Sequence, residues 1–110
     1  MTRKEMQIEE NAIVLKALEK YNETRKTDDY IATCKLRSCS ASVLITEKYY
    51  ILQSYNTIIA FIDRETDTLY DVLRYVYGYT ATSAQHIAKF NTDYCASGWG
   101  CKNRYTYKTV

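Results

Sequence analysis

The chain has no proline, and only three of its 110 residues are glycine. Without proline, its turns must come from Gly, Asn, Asp, Ser and Thr chemistry. Three glycines cannot build a Walker-type or dinucleotide-binding loop, which excludes the common nucleotide-cradling motifs. One histidine and no recognisable nucleophile signature leave little for acid–base or covalent catalysis. The acidic residues are scattered without metal-loop spacing. Neither sign of charge dominates: 15 Lys and Arg stand against 13 Asp and Glu, a net +2. That is too weak to argue for nucleic acid by itself, and of the wrong sign for whole-surface DNA mimicry. No apolar run approaches a membrane span. Met1–Glu5 is charged and leads into no secretory apolar region, so a cytoplasmic protein is expected. The reading is of a non-enzymatic chain without a cofactor.

What is present is tyrosine: twelve, against two Phe and one Trp. An apolar ring with a polar tip suits both half-buried strands and contact surfaces. Hydrophobic residues make up 46% of the chain, enough for the core of one domain. Candidate contact residues are Tyr49, Tyr50, Tyr75, Tyr77, Trp99, Tyr105 and Tyr107, with Arg104 and Lys108 interleaved in the tail. Four cysteines, Cys34, Cys39, Cys95 and Cys101, leave three states open. Free thiols are the ordinary cytosolic state. A disulfide is a second. A zinc site is the third, but C-x4-C followed by C-x5-C is not the tight C-x2-C knuckle of common zinc ribbons.

Periodicity predicts an α+β fold over 1–110. An amphipathic helix over 4–22 places Ile8, Val14, Leu15 and Leu18 on one arc with Tyr21 at its edge, packed on a small, mainly antiparallel sheet. Thr2 and Glu5 have the spacing of a capping box. Strands are expected at 30–36, 43–45, 48–53, 57–63 and 68–73, with Ser54-Tyr55-Asn56 as a turn. Thr57–Asp63 is nearly continuous in apolar residues, as in a central strand covered on both faces. Tyr75–Tyr79 is expected to continue the strand before it, with Gly78 marking a bulge or a sharp bend. A second short helix is expected over 82–91. Thr82 is its N-cap, Gln85 reaches back, and His86 hydrogen-bonds the hairpin. A Cys-containing tail, 95–110, displays the single Trp and closes on alternating basic and aromatic residues.

Within this frame, "SYNTIIAFID", then "TLY", then "YTATSAQHIAKF" carries a pattern: Ser-Tyr-x-Thr-x-x-Ala, a hairpin, and Tyr-Thr-x-Thr-Ser-x-x-His-Ile-x-x-Phe. It resembles a group of small, uncharacterised phage and mobile-element proteins. The resemblance covers Ser54–Phe90, about a third of the chain. It implies a hairpin-and-helix framework over 54–90 and an origin in a bacteriophage or its bacterial host. It assigns no catalytic residue.

Three functions compete. One is an inhibitor of a host defence nuclease of the CRISPR type, acting by protein–protein contact on the nuclease or its nucleoprotein complex. Tyrosines supply contact area at low entropic cost, and Asp28, Asp29, Glu65 and Asp67 are candidate phosphate mimics. The alternative is a nucleic-acid-binding accessory protein whose tail pairs phosphates with Lys and Arg and stacks bases on Tyr. The third is a self-associating homodimer rather than a monomer.

Overall fold

Thr2 starts the first helix. Its hydroxyl accepts the Glu5 amide and donates to the Glu5 carboxylate, so the expected cap forms and α1 runs Arg3–Thr24. The computed structural model describes residues 1–37, 40–78 and 80–109. The inward stripe of α1 differs from the expected arc. Asn11, Val14 and Tyr21 are buried, Gln7 and Leu18 are half-buried, and Ile8 is 48% exposed. Positions 7, 11, 14, 18 and 21 form the true helical stripe. Two of its five members are polar, so a hydrophobicity pattern misplaces the face.

Five strands follow with short connections: β1 Tyr30–Lys35, β2 Ser42–Thr46, β3 Tyr49–Ser54, β4 Thr57–Asp63 and β5 Thr68–Asp71. Each pairs antiparallel with the next. The β3–β4 hairpin turns at Tyr55 and Asn56, both at positive φ (50° and 72°) with Ser54 paired to Thr57. That is the twist-matched two-residue turn that asparagine favours. A helix then interrupts the expected strand. Asp71 Oδ1 accepts the Leu73 amide, and α2, Leu73–Val76, replaces the extension of β5. Gly78, at φ +96°, closes that turn of helix, so it bends the chain rather than marking a strand bulge. The expectation for Tyr79 lies outside the described residues, as do those for Ser38, Cys39 and Val110.

The next helix is longer than expected and begins earlier. Thr80 is its N-cap, accepting the Ser83 amide, and α3 runs Ala81–Tyr94. Thr82 and Gln85 are exposed within its first turns, so the capping role assigned to that pair belongs to Thr80 and Ser83. His86 is buried, but its Nδ1 has no hydrogen-bond partner and makes no bond to the hairpin. After the crossover through α2 and α3, β6 (Asn103–Thr106) pairs parallel to β5. The strand order is β1-β2-β3-β4-β5-β6.

Strand alternation divides the sheet into two unlike faces. Leu44, Ile51, Phe61, Tyr70 and Tyr105 stand opposite one another across five strands. They meet Val14, Tyr21 and Tyr49 in one cluster on the α1 side. The other face carries Val43, Leu52, Ala60, Ile62 and Leu69 against Ile87 and Phe90 of α3. β4 is covered on both sides, as its apolar run predicts.

The two edge strands differ as well. At the end of β6, Thr106 donates its amide to Glu10 and accepts from Gln7, and two residues beyond it Lys108 donates to Asn11 Oδ1 and accepts from Asn11 Nδ2. Side chains of α1 therefore stand where another strand would pair. β1 pairs only with β2, and all of it except the half-buried Ala32 is exposed.

Candidate functional site

Trp99 stands at the tip of the loop between α3 and β6. Backbone and side-chain chemistry hold that loop in one shape. Cys95 Sγ accepts the amides of Gly98 (3.1 Å) and Gly100 (3.0 Å). Ser97 Oγ accepts the Trp99 amide and donates to the Gly100 carbonyl. Asp67, from the β4–β5 turn, accepts from Ala96 and Lys102, one amide on each side of the loop. Asn91 accepts the Cys101 amide at 2.8 Å. Gly98 and Gly100 are both at positive φ. A Cβ on Gly100 would lie 3.2 Å from Asn91 Nδ2, so this glycine also allows a close approach. The ring of Trp99 is left 92% exposed on this braced support. Asp67, a candidate phosphate mimic in the sequence, is spent on the bracing.

The cysteines gain local roles. Cys95 is an acceptor inside the loop. Burial pushes the Cys101 thiol up to about 12, with Asp67 and Cys95 nearby adding to the shift, so this thiol stays protonated at neutral pH. Cys34 is exposed on β1. Among the described residues no three or more His, Cys, Asp or Glu side chains stand together as a metal site. The four-cysteine zinc set includes Cys39, which lies outside those residues.

The other candidate contact residues do not form a single patch. Tyr49 is buried, in edge contact with Tyr21 and Phe61. Tyr50 lies on the opposite face, 5.1 Å from the Tyr94 ring and beneath the Arg64 guanidinium at 4.6 Å. Tyr105 stacks on Tyr70. Tyr107 meets the exposed Tyr75 at 5.2 Å, and Tyr77 is exposed beside it in sequence, at the end of the sheet away from Trp99. Alternation along β6 separates what the tail sequence interleaves. Tyr105 sits in the α1-side cluster, whereas Arg104 pairs with Leu69 on the other face and lies 3.9 Å from Asp71. Lys108 joins Arg74 along a shallow notch of about 440 Å3.

A groove that no sequence motif announces opens on the α1 face. Tyr49, Phe61 and Tyr70 form its floor, Ile13, Lys16 and Ala17 its helical wall, and Asp63 its lip, enclosing about 540 Å3. Burial raises the Tyr70 phenol above its ordinary value, and Asp63 adds to the rise. The signal in the sequence is that Ile13 and Ala17 lie off the main apolar arc of α1 and widen it. In the structure Ile13 is 43% exposed and faces this opening.

These features belong to a known sequence class, whose extent matches the fold. The chain belongs to a family of unknown function, DUF8033, whose model matches residues 3–106. The match runs from the first turn of α1 to the last residue of β6. It therefore extends well past the Ser54–Phe90 pattern. No curated protein and no solved structure matches the chain. Among the described residues no helix is long and apolar enough to cross a membrane.

Proposed function

We propose that this chain is a non-enzymatic binding protein of a phage or mobile element that inhibits a host defence nuclease, of the CRISPR type, by protein–protein contact. The observation that carries the reading is Trp99, exposed at the tip of a loop whose backbone is tied by Cys95, Ser97, Asn91 and Asp67. A large apolar ring in water is unfavourable, and a braced loop has already lost the entropy that binding would otherwise cost. Covering about 200 Å2 of such a ring at about 25 cal/mol/Å2 is worth on the order of 5 kcal/mol gross. Tryptophan on a preorganised support is the profile of an interface anchor. The origin rests on the Ser54–Phe90 resemblance, and the cytoplasm of a bacterial host follows from it.

The test is a cleavage assay with purified CRISPR-type nucleases, with and without this protein. Inhibition by the native chain that is lost in Trp99→Ala, with thermal stability unchanged, supports the reading. Absence of inhibition across the nucleases, or undiminished inhibition by Trp99→Ala, sinks it.

A second reading has its own observation. Arg74 and Lys108 line one notch beside the Tyr75–Tyr107 ring pair, an arrangement of cations and rings that suits single-stranded nucleic acid. A salt-dependent mobility shift that Lys108→Ala plus Tyr107→Ala abolishes and Arg104→Ala leaves intact is the expected result. A shift that is equally sensitive to all three moves the contact away from this notch.

A further inference from the structure

Every open sheet ends in two strands with unpaired backbone groups, and proteins usually blunt both. Here one is covered outright, while β1 carries only an irregularity between Tyr30 and Ala32 and the exposed Lys35. The outer edge of β6 is occupied by Gln7, Glu10 and Asn11 of α1, which bond the amides and carbonyls of Thr106 and Lys108. Among the described residues the outer edge of β1 has no such cover. Leu36 donates its amide to Ala41, just before β2. With the β1–β2 register, this aims the backbone groups of Ala32 and Cys34 inward and those of Thr33 and Lys35 outward. The side chains on β1 are also unusual for a guarded edge. Tyr30 is 63% exposed and Ile31 55%.

We propose that β1 pairs edge to edge with β1 of a second copy of this chain, antiparallel about a two-fold axis at Thr33, joining two six-stranded sheets into one. The charge order along the strand selects this partner and this direction. Asp28 and Asp29 precede β1 and Lys35 closes it, while Arg37 beyond its end is already paired with Asp93. Antiparallel pairing lays the acidic end of each copy alongside the basic end of the other. Parallel pairing would set like against like. Thr33 of each copy exchanges amide and carbonyl with Thr33 of the other. Ala32 then stands opposite Cys34 of the second copy in a pair without backbone hydrogen bonds, where Cα atoms lie about 4.5 Å apart. One short strand with the Tyr30 and Ile31 side chains is a small interface, so the dimer forms in a concentration-dependent way.

Sedimentation velocity across a concentration series tests the pairing, with three variants. The native chain shifts from 12.9 kDa towards twice that mass. Thr33→Pro removes an amide that faces away from β2, so it costs no internal ladder bond and leaves the far-ultraviolet circular dichroism unchanged while the dimer is lost. Ile31→Lys gives the same loss without altering the backbone. Ala32→Cys, under mild oxidation with oxidised glutathione, gives an interchain disulfide with native Cys34, at a separation a disulfide can span. The further change Cys34→Ser removes it. The proposal is overturned by a monomer at every concentration, by a dimer that survives both Thr33→Pro and Ile31→Lys, or by a monomer that takes an extended peptide of another protein along β1.

Discussion

The two faces of the sheet solve the same problem with different side chains. Beneath α3 the core is aliphatic, with Leu52, Ile62, Leu69 and Ile87 around one Phe90. Beneath α1 it is a chain of rings: Tyr21 lies on Phe61 at 5.0 Å, Phe61 meets Tyr70 at 5.3 Å, and Tyr70 meets Tyr105 at 5.8 Å. The aromatic face opens into the groove beside Ile13 and Asp63, while Leu52, Ile62, Leu69, Ile87 and Phe90 on the other face are at most 1% exposed. Aliphatic side chains must be sealed from water to contribute. Tyrosine keeps an apolar body buried while its hydroxyl reaches solvent, so a tyrosine core can stay partly open. The excess of tyrosine is therefore used largely for scaffolding.

The largest expected effect that tests this contrast is Phe90→Ala. It empties a site with no solvent access and should cost about 3–5 kcal/mol in urea unfolding. Tyr70→Phe, which removes only a hydroxyl at the groove, should change stability by less than about 0.5 kcal/mol. Equal losses from the two would erase the distinction between the faces. Next comes Asn11→Leu, which leaves the Lys108 amide and carbonyl without their partner. The expected cost is about 1–3 kcal/mol, with faster hydrogen exchange confined to β6. A smaller effect separates the two threonines at the start of α3. Thr80→Ala should cost about 1 kcal/mol, and Thr82→Ala almost nothing.

The smallest effect is one of pH. Burial lowers the His86 pKa below its ordinary 6.5, with Lys89 adding to the shift. The unfolded chain therefore binds the extra proton first. Stability should be retained above about pH 6.5 and fall as pH drops through the folded-state value. His86→Leu should remove that part of the slope in melting temperature between about pH 8 and about pH 5. An unchanged slope would assign it to other groups.

Much of the fold could be read from the residues. Thr2 and Glu5 announced α1, the run Thr57–Asp63 announced the doubly covered strand, and Ser54-Tyr55-Asn56 announced its hairpin. The errors share a cause. The stripe of α1 was misplaced because Gln7 and Asn11 point inward to bond a strand almost a hundred residues away, a demand that local periodicity cannot register. Tyr75–Tyr77 has strand composition, yet a turn of helix forms there, its first amide, that of Leu73, bonded to Asp71. The interleaved tail read as one basic–aromatic surface, but strand alternation sends Arg104 and Tyr105 to opposite faces. Trp99 was legible as displayed. The bracing that makes the display significant, and the groove, depend on contacts between Asp67, Asn91 and the Cys95–Cys101 loop, and between Ile13 and the sheet, which only the folded chain brings together.

The stitching of α1 to β6 also has a consequence in time. Asn11 bonds Lys108, 97 residues later, and Gln7 bonds Thr106, 99 residues later. On the ribosome, the first helix emerges long before the strand that receives its polar stripe. The sheet from β1 to β5 can pair by short hairpins as it appears, but α1 cannot complete its docking until the final strand has cleared the exit tunnel. Its buried Asn11 and the rings beneath it stay wet until then. Arrival of β6, rather than formation of the hairpins, is then the step that lets α1 dock.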